Sequence, residues 1–91
     1  MKTVNRGTLK KLALAGKLVA VDSYHFDDQL GESRSQKELP VRIGDYGDWK
    51  DGCYNMHLSD FEGKGGRAWE NQDGTITLYI HSNSNVTLKK V

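Results

Sequence analysis

Residues 67–88 read RAWENQDGTITLYIHSNSNVTL, and this stretch decides the fold class. Apolar and polar residues alternate in it with period two, the repeat of a strand that buries one face. Asp73-Gly74 separates the first two runs, and Asp-Gly in that position is a strong hairpin signal. A second polar turn, residues 82–85, precedes the last run. The pattern therefore predicts a carboxyl-terminal β-meander whose inward residues are Ile76, Leu78, Ile80, Val86 and Leu88.

Upstream of the meander, shorter segments predict the remaining elements. Residues 53–58 alternate as a strand with Tyr54, Met56 and Leu58 on one face, and one of its two faces should be buried. Residues 18–26 and 39–43 are rich in β-branched or aromatic side chains. Residues 27–38 are polar and are expected to form a mobile loop. Pro40 lacks a backbone donor, so its strand should lie at an edge of the sheet or begin there.

One helical pattern precedes these strands. Asn5 or Thr8 can cap a helix that runs to Ala15, and Gly16 can end it. Leu9, Leu12 and Ala13 then share one side. The sequence therefore predicts a single compact α+β domain over residues 1–91, with one short amino-terminal helix packed on an antiparallel sheet of about five or six strands.

The cysteine content and the amino-terminal residues indicate the compartment in which the chain is found. It has 91 residues and a single cysteine, Cys53, which cannot form an internal disulfide and favours a reducing compartment. Lys17 interrupts the apolar residues near the amino end, so we expect neither a secretion signal nor a membrane span. The sequence holds no cofactor motif, and we predict a cytoplasmic protein without a cofactor.

Charge is sorted along the chain although its formal net charge is +1. Residues 1–21 hold five basic residues and no acid, whereas residues 22–63 hold ten acids against four bases. Segregated charge of this kind selects partners rather than folds.

The acidic part also carries aromatic side chains. Tyrosine and tryptophan are favoured interface anchors, and carboxylates around them attract a basic partner surface. We therefore predict a non-enzymatic binding module that engages a basic protein surface, such as that of a nucleic-acid-binding complex. Its predicted partner-binding residues are Asp27, Asp28, Asp45, Tyr46, Asp48, Trp49 and Asp51. A core position for Trp49, with the aspartates solvated, is the plain alternative.

A second hypothesis uses the basic helix. Arg6, Lys10, Lys11 and Lys17 could attract nucleic-acid phosphates, which makes a small nucleic-acid-binding regulator the alternative function. The absence of a second helical pattern argues against a helix-turn-helix.

Three short segments contain side chains or glycines that could form a catalytic, metal or phosphate site. His25, Asp27 and Asp28 could bind a divalent metal, or serve a hydrolase together with His57, but they lack a zinc spacing. Cys53 and His57, four residues apart on one predicted strand, are too far apart for a direct hydrogen bond. Residues 63–67 are glycine-rich, yet no helix follows them to hold a phosphate. We predict no enzyme and no metal.

The chain also resembles small uncharacterised proteins of phages and mobile elements. The resemblance rests on residues 23–28 (SYHFDD), 31–34 (GESR), 66–69 (GRAW) and 73–83 (DGTITLYIHSN). It implies a class of function, since such accessory proteins often bind and disable host machinery, as anti-CRISPR and anti-restriction proteins do. It assigns no residue a role.

Overall fold

The computed structural model describes residues 2–44, 52–62 and 67–91. Within these ranges the chain forms one α-helix, one 3₁₀ helix and eight strands. Their bounds are β1 Lys2–Thr3, α1 Arg6–Leu14, β2 Leu18–Asp27, β3 Gly31–Ser35, β4 Leu39–Ile43, β5 Tyr54–Met56, the 3₁₀ helix Leu58–Phe61, β6 Arg67–Glu70, β7 Ile76–His81 and β8 Ser84–Lys90. None of these helices is long and apolar enough to cross a membrane.

The strands form one sheet in the order β1-β6-β7-β8-β2-β4-β5. The remaining strand, β3, pairs with residues 23–27 of β2, whereas β4 pairs with residues 19–20 of β2. Every strand pair is antiparallel except β4 and β5, which are parallel. The α+β class and the mostly antiparallel sheet are therefore confirmed, and β6, β7 and β8 form the meander. The predicted five or six strands were too few. A two-residue strand, β1, also precedes the helix, so the helix is not the first element.

Residues 27–38, predicted as a mobile polar excursion outside the core, contain the strand β3, which the sequence did not predict. β3 pairs with β2 from Ser35 opposite Ser23 to Gly31 opposite Asp27. The Asp27 carboxylate accepts the backbone N–H groups of Gln29 and Leu30, at 2.8 and 2.9 Å. Gly31 then takes a φ of +84°, a conformation that glycine adopts at little cost. These turn contacts close a hairpin between β2 and β3.

Helix α1 begins and ends where its sequence signals lie. The Asn5 side chain caps it by accepting from the N–H groups of Gly7 and Thr8, and Ala15 is the C-cap residue before Gly16, whose φ is +73°. Leu9 and Ala13 are buried. The helix packs against β4 and the 3₁₀ helix, so its apolar side covers one face of the sheet.

The buried face of the sheet carries the predicted meander residues with one exception. Ile76, Leu78, Val86 and Leu88 are at most 1% exposed. Ile80 is half-buried, because the register between β7 and β8 shifts after Tyr79. The remaining core residues are Leu9, Ala13, Leu18, Ala20, Val41, Tyr54, Met56, Phe61 and Ala68.

The alternation predicted for residues 53–58 is only partly correct. Tyr54 and Met56 are buried, but Asn55 between them is buried as well, and Leu58 is 38% exposed. The strand β5 has three residues and is followed at once by the 3₁₀ helix, which ends the period-two pattern. Asn55 satisfies its side-chain oxygen by accepting from Arg42 Nε at 2.8 Å.

Pro40 is the second residue of β4, and this strand does not lie at an edge of the sheet as predicted, since β4 lies between β2 and β5. Pro40 pairs with Val19 of β2, while β5 pairs with β4 only from Val41 onward. The missing backbone donor of Pro40 is therefore not required by β5.

Candidate functional site

The predicted partner-binding residues divide into two groups. Asp45, Tyr46, Asp48, Trp49 and Asp51 lie outside the described residues, so their role stays a prediction. Asp27 and Asp28 lie at the tip of the β2–β3 hairpin, which we define as residues 26–32.

The hairpin tip extends beyond its neighbours in the sheet. Phe26 N–H donates to the Asn83 carbonyl at 2.7 Å, which is the last backbone contact between β2 and the β7–β8 turn. The next residues form the turn itself. Leu30 is 89% exposed and Phe26 is 37% exposed, so the tip presents two apolar side chains to solvent.

Carboxylates surround these apolar side chains. Asp28 and Glu32 are exposed, and the tip contains no basic residue. The backbone N–H groups of Leu30 and Gln29 hold the pKa of Asp27 below its ordinary value, because they favour the charged carboxylate. Asp27 therefore has a structural role in the turn, whereas Asp28 makes no such contact within the described residues. The tip combines apolar area with negative charge.

His25 does not join the two aspartates in a metal site. Its ring meets that of His81 edge to face, with centroids 6.0 Å apart, and Ser84 is paired with both residues in the sheet. His81 Nδ1 accepts the Asn83 N–H at 3.2 Å. Among the described residues, no three His, Cys, Asp or Glu side chains are grouped to hold a metal ion.

His57 lies at the other end of the strands from His25. β4 starts beside Ala20 and runs away from His25 to Ile43, which is aligned with Met56. At roughly 3.3 Å per residue, the two histidines are about 30 Å apart. His57 instead caps the 3₁₀ helix, so these two side chains cannot act on one substrate.

Cys53 and His57 do not share a strand. Cys53 precedes β5 in a bend, and His57 follows it as a cap residue. His57 Nδ1 lies 2.9 Å from Ser59 Oγ and 3.3 Å from Ser59 N. This ring nitrogen therefore holds the local turn at the start of the 3₁₀ helix.

The basic helix is partly neutralised in the fold. Lys10 Nζ contacts Glu62 Oε1 at 2.5 Å, whereas Lys11 and Lys17 are exposed and Arg6 is half-buried. The nucleic-acid role of these four residues stays a prediction.

Charges that are separated along the sequence meet in space. Lys89 pairs with Glu38 at 3.6 Å, and Arg34 holds Asp22 through two nitrogens at 2.8 and 3.2 Å. Together with the pairing of Lys10, these contacts reduce the separation between basic and acidic regions that the sequence suggested.

The solvent-facing side of the sheet was not predicted as a site. Its residues alternate with the buried ones, and its middle is a row across five strands formed by Arg67, Tyr79, Asn85, Tyr24 and Arg34. Trp69 adjoins this row, with its ring centroid 6.5 Å from that of Tyr79. At about 4.8 Å per strand the row is roughly 19 Å long. The outward half of the period-two pattern was the signal that could have identified it.

No protein-family model, curated protein or solved structure matches this chain.

Proposed function

We propose that this chain is a non-enzymatic binding protein that engages a basic surface of a partner protein. The contact is made by the hairpin tip, residues 26–32, together with the acidic and aromatic segment 45–51. In keeping with the resemblance to phage and mobile-element proteins, the partner is a cytoplasmic host defence complex that the chain inhibits.

The observation that carries this proposal is the exposure of Leu30. Complete burial of a leucine side chain contributes about 1.5–3 kcal/mol. Leu30 is 89% exposed, so the isolated chain gains little of this free energy. Phe26, 37% exposed, lies on the same tip. A partner that covers the tip removes both side chains from water and so gains this free energy of burial.

The charge around Leu30 favours a basic partner. Asp27, Asp28 and Glu32 give the tip three carboxylates within seven residues. Such charges increase the rate of encounter with a positive surface and exclude partners of like charge. Binding should therefore weaken as the salt concentration rises.

The test is affinity capture with matched variants. The wild-type chain is immobilised, exposed to a bacterial lysate, and washed with rising salt, and the retained proteins are identified by mass spectrometry. Leu30→Ser is compared with Leu14→Ser, which changes a leucine that is 61% exposed on α1. Asp28→Asn is compared with Gln72→Lys in the β6–β7 turn, since both substitutions raise the net charge by one.

We expect the wild type to retain a specific basic protein, and we expect the two tip variants to lose about tenfold in affinity for it once it is purified. The two control variants should bind it as the wild type does. Equal binding by all five proteins, or an acidic protein as the captured partner, would show that the tip is not the interface.

A further inference from the structure

β3 is the longest strand at an edge of the sheet in the described part of the chain. The strand order ends in β1, which has two residues, and in β5, which has three, whereas β3 has five and pairs with β2 alone among the described strands. Its register with β2 contains no bulge, and its sequence, GESRS, holds neither proline nor lysine. Bulges, prolines and lysines are the usual means by which proteins prevent an edge from pairing with another chain. The edge of β3 lacks these protections.

The backbone of β3 presents hydrogen-bonding groups at this edge. Phe26 N–H donates to the Asn83 carbonyl in the β7–β8 turn, so the backbone groups of Phe26 point away from β3. Phe26 lies opposite Glu32. Two residues away in the same register, Tyr24 lies opposite Arg34. In an antiparallel ladder every second pair of residues exchanges no hydrogen bonds. The N–H and C=O groups of Glu32 and Arg34 therefore point to the outer edge of the sheet.

The side chains of Glu32 and Arg34 carry opposite charges and lie on the same face, because they are two residues apart on one strand. Glu32 is exposed and forms no ion pair within the described residues. Arg34 donates to Asp22 through Nε and Nη2. A guanidinium has five N–H donors, so the donors on Nη1 can bind a second carboxylate.

This pattern is complementary to itself in one antiparallel register. If Ser33 lies opposite Ser33 of a second copy, Glu32 of each chain lies opposite Arg34 of the other, and their outward backbone groups form hydrogen-bonded pairs. A shift of one residue would place outward groups opposite inward ones. A shift of two would place Glu32 opposite Glu32, or Arg34 opposite Arg34, and like charges directly opposite destabilise a strand pair. The charges therefore select the register centred on Ser33.

The other face of β3 leaves room for this pairing. Ser33 and Ser35 are the residues on that face, and both are small. A facing pair without backbone hydrogen bonds brings its Cα atoms to about 4.5 Å, closer than a hydrogen-bonded pair. Two serines fit at that spacing, and their hydroxyls can bond to each other across the strands.

We propose that the outer edge of β3 pairs with the same edge of a second copy of this chain, so that the two sheets become one across a two-fold axis at Ser33. A strand added to an edge gains affinity from main-chain hydrogen bonds and specificity from alternate side chains. Leu30 and Asp28 lie in the turn, before the paired residues 31–35. Variants of these two residues therefore test the contact with a basic partner, and variants of residues 32–35 test the dimer, so either proposal can fail without the other.

A cysteine at the proposed axis tests the register. Cys53, the single cysteine, is first replaced by serine. Ser33→Cys then places two thiols on a facing pair with Cα atoms about 4.5 Å apart, within the range of a disulfide. Ser35→Cys, on the same face, is the matched control, because its two copies would be about 13 Å apart, four residues along the strands. We expect mild oxidation to give a covalent dimer of the first variant and not of the second. Equal yields, or no dimer from Ser33→Cys, would overturn the proposal.

Charge reversal tests the complementarity of the edge. Glu32→Arg places arginines opposite each other in both pairs, and Arg34→Glu does the same with glutamates, so each change should weaken dimerisation by about tenfold or more in sedimentation equilibrium. An equal mixture of the two variants restores both attractive pairs and should associate more tightly than either variant alone. Lys90→Glu, which reverses an exposed charge at the end of β8, should dimerise as the wild type does.

Hydrogen exchange of the wild-type chain reports the new backbone bonds. The amides of Glu32 and Arg34 should exchange more slowly as the protein concentration rises. The amide of Ser33, whose pair with His25 already exchanges hydrogen bonds with β2, should not change. The proposal is overturned if the chain stays monomeric up to about 1 mM, a Kd that corresponds to a weak complex. It is also overturned if the protection maps to another segment, or if the mixed variants associate no better than each alone.

Discussion

The Asn5 side-chain oxygen lies 2.7 Å from the Gly7 backbone nitrogen and 2.9 Å from the position that a β-carbon on residue 7 would take. The same oxygen also accepts from Thr8. The cap and the glycine are therefore matched to each other, because any larger residue at position 7 would push the capping oxygen away. The effects of substitutions at Asn5 and at Gly7 on the stability of α1 should therefore depend on each other.

We expect the substitutions of Asn5 and Gly7 to be non-additive. Asn5→Ala should lower the free energy of unfolding by about 1 kcal/mol, since it removes the cap. Alanine at position 7 should add about 0.5–1 kcal/mol of helix propensity, but only where the crowding is absent. Gly7→Ala should thus stabilise the Asn5→Ala variant and fail to stabilise the wild type. Urea unfolding of the four proteins measures this, and equal effects in both backgrounds would contradict it.

Local signals explain which parts of the fold could be predicted. Asn5 and Gly16 mark the ends of α1, and Asp73-Gly74 marks the β6–β7 hairpin, because caps and tight turns depend on residues close in sequence. The core of the meander followed from its alternation. These predictions needed no knowledge of distant partners.

Pairing between distant segments explains what was missed. Strand β3 has the sequence GESRS, whose polar side chains give no strand signal, and it is held by backbone bonds to β2. The parallel pairing of β4 with β5 is likewise absent from any local pattern. At the candidate sites, composition identified Asp28, but nothing in the sequence showed that Leu30 would be exposed.

The buried hydroxyl of Ser23 lowers the free energy of unfolding by a small amount that a substitution should recover. Ser23 is 3% exposed on the buried face of β2, and its hydroxyl has no hydrogen-bond partner among the described residues. A buried hydroxyl without a partner retains its desolvation penalty. We therefore expect Ser23→Ala to raise the free energy of unfolding by about 1 kcal/mol. Ser84→Ala, the same change on neighbouring β8, is the control, and an equal gain there would show that the missing partner is not the cause.

The hairpin tip should respond to acid through Asp27. Folding lowers the pKa of this carboxyl below its usual 3.8, chiefly because the N–H groups of Leu30 and Gln29 bind the charged form. Its stabilising contribution is therefore complete above that pH and is lost as the pH falls through the lower, folded value. A ¹³C NMR titration should report the lowered pKa, and the amide signals of Leu30 and Gln29 should shift with it. Those amide shifts should be missing from Asp27→Asn, and their persistence would assign them to another group.

Leu78 and Leu30 lie at opposite extremes of exposure, so replacing each by alanine should change the free energy of unfolding by very different amounts. Leu78 is fully buried between Ala68 and Val86 on the neighbouring strands, whereas Leu30 is 89% exposed at the hairpin tip. Leu78→Ala should lower the free energy of unfolding by about 2–5 kcal/mol, because it removes apolar contacts and leaves a cavity. Leu30→Ala should change it by no more than about 0.5 kcal/mol. Denaturant unfolding measures both, and a large loss for Leu30→Ala would mean that the tip packs against other parts of the chain. A neutral result makes any loss of partner binding by Leu30 variants a direct effect on the interface.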